Sequence, residues 1–270
     1  SVKLQQLGAD KNLVICQKSK ISDWKEHFRK YHTQYLVFDL TKKGDLLLFI
    51  TSDQPCVGVI NYELSFRRPD LLKLKNFTLM LDESSLIQNE TAKRTRFILK
   101  LQPKNVILLS GTPTSGKYEK LWSQCKLLGW KISKKAFWES YVDYEWKEIA
   151  GFWKQFVTGY RNVLHLKKKL AEYGCVFMKT DEVLTLPPQI EQNIYLEPTS
   201  MYKTFHKNRY IVLKDGTELN GDTVLTKILY ERQLCGQYHN GKLEAFRDIL
   251  NSTEDRLIVF YCYQAECDAL

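Results

Sequence analysis

Long apolar stretches are missing from this chain. Its hydrophobic runs, such as Leu46-Leu47-Leu48-Phe49-Ile50 and Val106-Ile107-Leu108-Leu109, are short. Both fall far short of the ~20 residues a membrane-spanning helix needs. No charged-then-apolar export segment opens the sequence. A membrane partner is therefore not expected, and the reading places the protein in the cytoplasm. The seven cysteines (Cys16, Cys56, Cys125, Cys175, Cys235, Cys262 and Cys267) are odd in number, scattered and without a C-x-x-C. That spacing excludes a disulfide scaffold and fits thiols in a reducing compartment. The five histidines are equally dispersed, so spacing assembles no zinc site. Internal repeats and low-complexity segments are absent too.

What is present is 270 residues with 40 Lys+Arg against 31 Asp+Glu, a net charge of +9. At roughly 150 residues per domain this is enough chain for about two domains with real cores. The basic surplus suits a polyanionic partner without requiring one.

The pattern along the chain alternates strands and helices. Val2, Leu4 and Leu7 read as a short helix closed by Gly8. Leu13-Val14-Ile15-Cys16 reads as a buried parallel strand. Asp23 and Glu26 resemble a capping-box start for a helix carrying Trp24, Phe28 and Tyr31 on one face, which favours Trp24 as a core residue over a stacking platform. Further strands are expected at 35–40, 58–61, 77–81 and 106–109, with a helix over 86–101. This alternation argues for an α/β fold with a parallel sheet, whose ligands gather at the C-terminal ends of the strands.

From 117 to 180 the chain reads as helical, basic and aromatic-rich, with Trp122, Trp130, Trp138, Trp146 and Trp153. Leu186-Pro187-Pro188 reads as a linker. Beyond it come an expected strand at 194–196 and a hairpin turning at Lys214-Asp215-Gly216-Thr217. Helices over 223–236 and 241–250 and a buried-type strand at 257–260 follow.

Two motifs carry chemistry. Asp82-Glu83-Ser84-Ser85 follows an apolar strand, where an acidic pair suits a nucleoside triphosphatase. The Asp would hold Mg²⁺ through water, and the Glu would orient or deprotonate the attacking water. An acidic N-terminal cap of a helix is the plainer alternative. After the next strand comes Ser110-Gly111-Thr112-Pro113. The stretch from Gly111 to Tyr118 nearly matches the phosphate loop G-x-x-x-x-G-K-[ST]. Tyr118, however, replaces the small hydroxyl residue, and the loop comes after the acidic strand rather than before it. A kinase using Lys117 is the reading that this near-match would support.

Taken in order, these pieces resemble motifs II and III of superfamily-two helicases, and more closely the Snf-type branch of double-stranded DNA translocases. Leu13-Val14-Ile15-Cys16-Gln17-Lys18-Ser19 with Trp24, Phe28 and Tyr31 resembles motif Ia. Val59-Ile60-Asn61-Tyr62-Glu63 resembles motif Ib. Asn89 matches the family's Lys-Asn position, with Gln88 in place of the Lys. Phe177-Met178-Lys179-Thr180-Asp181-Glu182-Val183 and Leu186-Pro187-Pro188 resemble the crossing to the second lobe, with Met178 at an expected arginine. Gly241-Lys242-Leu243 through Val259-Phe260 resembles the approach to motif IV. Ser84-Ser85 replaces the usual Ala-His of the box. The pattern resembles a compact bacterial or phage member.

The resemblance implies a RecA-like lobe over 1–130 and a helical insertion with return to that lobe over 131–185. A linker and part of a second RecA-like lobe would then fill 186–270. It implies ATP and Mg²⁺ as cofactors, with Asp82 and Glu83 catalytic and Asp82 meeting the metal through water. Ser110, Gly111 and Thr112 would couple phosphate state to lobe closure. Lys18, Ser19 and Tyr62 would hold the phosphates of duplex DNA without reading sequence; Lys93 and Arg94 of the basic segment after the acid box are phosphate candidates from their charge. The family's phosphate loop and motifs V and VI have no counterpart in these residues, so negligible ATP hydrolysis is expected of the 270 residues alone. A restriction-type translocating subunit, an RNA helicase and a non-catalytic DNA-binding scaffold with a degenerate helicase fold remain alternatives.

Overall fold

The computed structural model describes residues 1–270 except 115, 150, 179–181, 183, 186 and 189. Two compact units divide it, Ser1–Lys179 and Thr180–Leu270. The first unit opens with α1 (Val2–Leu7), β1 (Lys11–Cys16), α2 (Ile21–Tyr31), β2 (Leu36–Asp39) and α3 (Lys43–Thr51). Then come β3 (Cys56–Asn61), α4 (Tyr62–Ser65), β4 (Thr78–Leu81), α5 (Lys93–Ile98) and β5 (Asn105–Leu108).

These strands form one five-stranded sheet in the order β2-β3-β1-β4-β5, with every pairing parallel. The central strands β3 and β4 are buried throughout, and the edges β2 and β5 only partly. Parallel sheets are covered on both faces, so their central strands need continuous apolar runs. Side-chain alternation then sorts the residues. Leu13, Ile15, Leu79 and Leu81 enter one core with Phe49, Leu71, Phe77 and Ile98. Val14, Cys16, Val57, Val59 and Met80 enter the other with Leu4, Ile21 and Phe28. Gly58 is a packing requirement, because a Cβ there would lie 2.6 Å from Cδ1 of buried Leu40.

Several local expectations shift. Gly8 does close α1, at φ 63°. The α2 helix starts at Ile21, straight out of a 3-10 turn over Lys18–Lys20, and no side chain caps it. Asp23 instead pairs with Lys20 at 2.9 Å. The helix expected over 86–101 is a 3-10 turn, Ser84–Ile87, followed by the short α5. The run at Leu46-Leu47-Leu48-Phe49-Ile50 lies in α3, with Leu46 and Phe49 buried and Leu47 and Leu48 exposed.

The segment read as helical over 117–180 contains α6 (Trp122–Leu127), α7 (Lys134–Tyr141) and α8 (Val163–Glu172). Between them runs an antiparallel hairpin, β6 (Val142–Ile149) with β7 (Phe152–Tyr160). Alternating aromatic and polar residues and Gly151 at φ 80° account for the hairpin. Leu121, Cys125, Phe137, Tyr141, Leu166 and Leu170 form a core there, against which Trp122, Trp130 and Trp138 pack. Trp146 and Trp153 stand exposed on the hairpin.

In the second unit, α9 (Ser200–Asn208), β8 (Tyr210–Val212), β9 (Glu218–Asn220) and α10 (Val224–Cys235) surround a small core of Phe205, Leu213, Leu219 and Leu234. The β8–β9 hairpin turns at the expected Asp215-Gly216. Two helices follow, α11 (Asn240–Ser252) and α12 (Gln264–Ala269). The run Leu257-Ile258-Val259-Phe260, expected as a buried strand, is exposed and belongs to no sheet. A strand needs ladder partners for its backbone, and the only sheet among the described residues of this unit is β8–β9. No helix among the described residues is long and apolar enough to cross a membrane.

Candidate nucleotide and nucleic-acid site

Strand order places the acid pair. The chain leaves β1 towards β2 and leaves β4 towards β5, so the switch point of the sheet lies between the neighbouring strands β1 and β4. Crevices at such points, outside the carboxyl ends of the strands, are where open α/β sheets bind ligands. Asp82 and Glu83 follow β4 there, and Gln17, Lys18 and Ser19 follow β1.

Both ends of Asp82 are held. Its backbone N–H donates to the Ile15 carbonyl at 2.9 Å. Trp24 Nε1–H donates to Asp82 Oδ2 at 2.8 Å. The Tyr62 hydroxyl donates to the Asp82 carbonyl at 2.8 Å and lies 3.4 Å from that of Glu83. Glu83 adopts φ 54° and ψ 55°, left-handed values that a non-glycine residue holds only at a cost of about 1 kcal/mol or more. This sharp turn directs the chain away from the strand immediately after the acid pair. Desolvation by burial pushes the Cys16 thiol up to about 12, and the negative charges of Asp82 and Asp23 add to it.

Mg²⁺ fits this donor set in a limited way. Asp82 keeps one carboxylate oxygen outside its bond to Trp24, and Glu83, the next residue, is half-buried. No group of three metal-ligating side chains occurs among the described residues. One or two carboxylates suit an ion that keeps its waters and arrives with a nucleotide's phosphates.

A second set of bonds ties the acid box to the Ser110 loop. The Ser84 N–H donates to the Leu109 carbonyl at 2.7 Å. Ser84 Oγ donates to Gln124 Oε1 at 3.1 Å. Gln124 Nε2 and Gln88 Nε2 each donate to the Pro113 carbonyl at 2.9 Å. Gln88 and Ser84, two of the departures from the pattern that the sequence resembles, thus both sit in this linkage. Ser110, Gly111 and Thr112 lie in the loop itself, where Ser110 Oγ accepts from the Thr112 N–H at 3.2 Å.

The phosphate-loop reading of Gly111–Lys117 does not survive this geometry. Pro113 has no N–H to offer, and its carbonyl is fastened by two amides. Lys117 is exposed, and a 3-10 turn, Tyr118–Leu121, follows it. Tyr118 packs edge-on against Tyr160 with ring centroids 5.1 Å apart. A phosphate cradle needs converging backbone N–H groups at a helix start. Ser115 of this loop lies outside the described residues, as do Lys179, Thr180, Asp181, Val183 and Leu186 of the inter-lobe motif.

The expected nucleic-acid residues separate. Lys18 and Ser19 are exposed and line a shallow groove with Gln17, Glu63 and Leu86. Lys93 is exposed as well. Arg94 is half-buried; its Nε donates to the Leu86 carbonyl at 2.9 Å and a terminal nitrogen lies 3.7 Å from Glu63. Tyr62 is fully buried. The expectation that it tracks a phosphate backbone is corrected: its ring fills the core and its hydroxyl supports Asp82. Burial, with help from the Asp82 charge, holds its phenol well above the usual range. Trp24, read as core, is half-buried and also bonds the acid box. Gln124 gave no signal in sequence, because its partners lie far from it along the chain.

Comparison with known proteins follows the same lines. A family described as the SNF2-related domain matches residues 2–240. The chain is 24% identical over 224 residues to the SWI/SNF-related matrix-associated actin-dependent regulator of chromatin subfamily A member 1 of Mus musculus, covering 80% of this chain and 20% of that protein. It is 26% identical over 216 residues to the ISWI chromatin-remodeling complex ATPase ISW2 of Saccharomyces cerevisiae, covering 77% and 18%. Among solved structures, the Sulfolobus solfataricus SWI2/SNF2 ATPase core in complex with dsDNA is similar at 23% identity and TM-score 0.44, over 52% of this chain and 30% of that one. The chain thus spans about a fifth of the length of these curated relatives.

Proposed function

Because the chain belongs to the SNF2-related domain family, we propose that it is part of an ATP-dependent motor that tracks on duplex DNA. The five-stranded parallel sheet is the α/β arrangement expected of a RecA-like lobe. The observation that carries the proposal is the acid pair at the sheet's switch point, with Asp82 gripped at side chain and backbone. The name of the yeast relative, an ATPase of a chromatin-remodeling complex, supports the nucleotide chemistry.

Asp82 would face Mg²⁺ through water, and Glu83 would orient or deprotonate the attacking water. The ion would neutralise charge developing on the transferred phosphoryl group. Trp24 and Tyr62 hold Asp82 still, and the Ser84–Gln124–Pro113 linkage carries changes at the box to the Ser110-Gly111-Thr112 loop. Lys18, Ser19 and Lys93 would meet backbone phosphates, giving salt-dependent binding without sequence preference. Arg94 would position the groove through Glu63 and Leu86.

The test is duplex-stimulated ATP hydrolysis by the protein that carries these residues, with Glu83→Gln beside it. Loss of the water-orienting carboxylate should lower turnover by about 100-fold or more. Ordinary turnover in Glu83→Gln would refute the assignment. Stimulation by RNA but not by duplex DNA would replace the substrate.

A further inference from the structure

Two side chains grip Asp82, and each lies close along the chain to residues of the groove proposed for DNA. Trp24 lies one turn into a helix that runs on directly from the Lys18–Lys20 turn. Its indole is fixed in the plane that points Nε1 at Asp82: it stacks on Phe28 at 5.8 Å and 29° and meets His27 edge-on at 5.8 Å and 76°. Tyr62 immediately precedes Glu63, which lines the groove with Lys18 and Ser19. The groove and the metal-facing carboxylate are therefore joined by rigid, packed pieces on two routes.

We propose that Trp24 is a positioning residue that reports occupation of the Lys18–Ser19 groove to the Asp82 carboxylate. The inference rests on the DNA-tracking reading above. An indole N–H is a neutral donor with no acceptor capacity and no titration near neutral pH. It can fix one carboxylate oxygen and leave the other turned to a metal-bound water. When phosphates draw on Lys18 and Ser19, the turn they occupy shifts, and the helix that grows from it carries Trp24 along. The Trp24–Asp82 bond then shortens or lengthens, which changes how Asp82 presents its second oxygen. A core tryptophan without this link would leave the bond unchanged when DNA binds.

The test uses ¹⁵N-labelled chain, whose six tryptophans give separate indole N–H signals in an NMR correlation spectrum. Trp24→Phe assigns the Trp24 signal. In Asp82→Ala that signal should move upfield as the hydrogen bond disappears. An unchanged position there overturns the proposal. A random-sequence duplex is then titrated into the unaltered chain, with binding followed independently by anisotropy of a labelled duplex. The expected result is a Trp24 indole shift that saturates with the binding curve and is lost in Lys18→Ala/Ser19→Ala, which should also bind at least several-fold more weakly. Normal duplex binding with a stationary Trp24 signal overturns the inference and leaves the DNA reading standing. Undiminished binding by the double variant overturns the inference and leaves duplex binding to other residues, whereas no binding by the unaltered chain overturns both. Once Trp24→Phe has assigned the signal, the titration of the unaltered chain decides the matter even if Asp82→Ala or the double variant folds poorly.

Discussion

Tyr62→Phe separates a buried support from a surface contact. The substitution keeps the ring that fills the core and removes only the hydroxyl, which is fully buried and donates to the Asp82 carbonyl at 2.8 Å. A typical hydrogen bond contributes about 1 kcal/mol net, and a buried acceptor left without its donor raises the loss to about 1–3 kcal/mol. For the Ser1–Lys179 unit, each kcal/mol corresponds to roughly 2–4 °C of melting temperature. A loss of about 2 kcal/mol thus predicts a midpoint about 4–8 °C lower. Thermal unfolding followed by circular dichroism at pH 7.5 measures this directly. The pH dependence gives an independent check. The folded phenol titrates above its ordinary value, mainly because it is desolvated. Its contribution is complete below about pH 10, where the unfolded phenol begins to ionise, and it is lost as pH rises further. Tyr62→Phe should therefore lose less stability than the parent between about pH 9.5 and 11. A midpoint within about 1 °C of the parent at pH 7.5, where a shift of several degrees is expected, would refute the buried-support argument.

Three further outcomes are expected. Gly58→Ala places a methyl group against Leu40 Cδ1, and repacking that buried leucine should cost about 1–3 kcal/mol in urea unfolding; a Leu40→Val partner should recover part of the loss, and strict additivity would argue against the clash. Glu83→Gly relieves left-handed strain at φ 54° and, after glycine's own entropy cost, should stabilise by up to about 1 kcal/mol; a lower denaturation midpoint would contradict the strain. Burial pushes Cys16 and Cys125 up to about 12, so stability should be intact below about pH 8.5 and decline as pH rises above it; a thiol reagent at pH 8 should modify exposed Cys262 long before Cys16 or Cys125, and equal rates would refute the burial.

The sheet was legible in the sequence because a covered parallel sheet demands continuous apolar strands, and Leu13-Val14-Ile15-Cys16 can satisfy little else. Gly8 as a helix stop and Asp215-Gly216 as a turn were legible for a similarly local reason: the backbone conformations there suit few residues. The hairpin Val142–Ile149 with Phe152–Tyr160 was not legible as such. Its aromatic residues occur at spacings that helix and strand both tolerate, and the cross-strand contacts that choose between them are non-local.

The acid pair, the Ser110 loop and the Lys18-Ser19 motif are properties of the sequence alone, since each is a short motif beside a strand. Tertiary structure decided which neighbours serve them. It turned Tyr62 from a surface candidate into a buried donor, aimed Trp24 at Asp82 58 residues further along the chain, and brought Gln88 and Gln124 together on one carbonyl. Such bonds join residues distant along the chain, and their direction is set by how helices lie on the sheet. Periodicity tells which face of a helix is inward, but not which polar atom waits there.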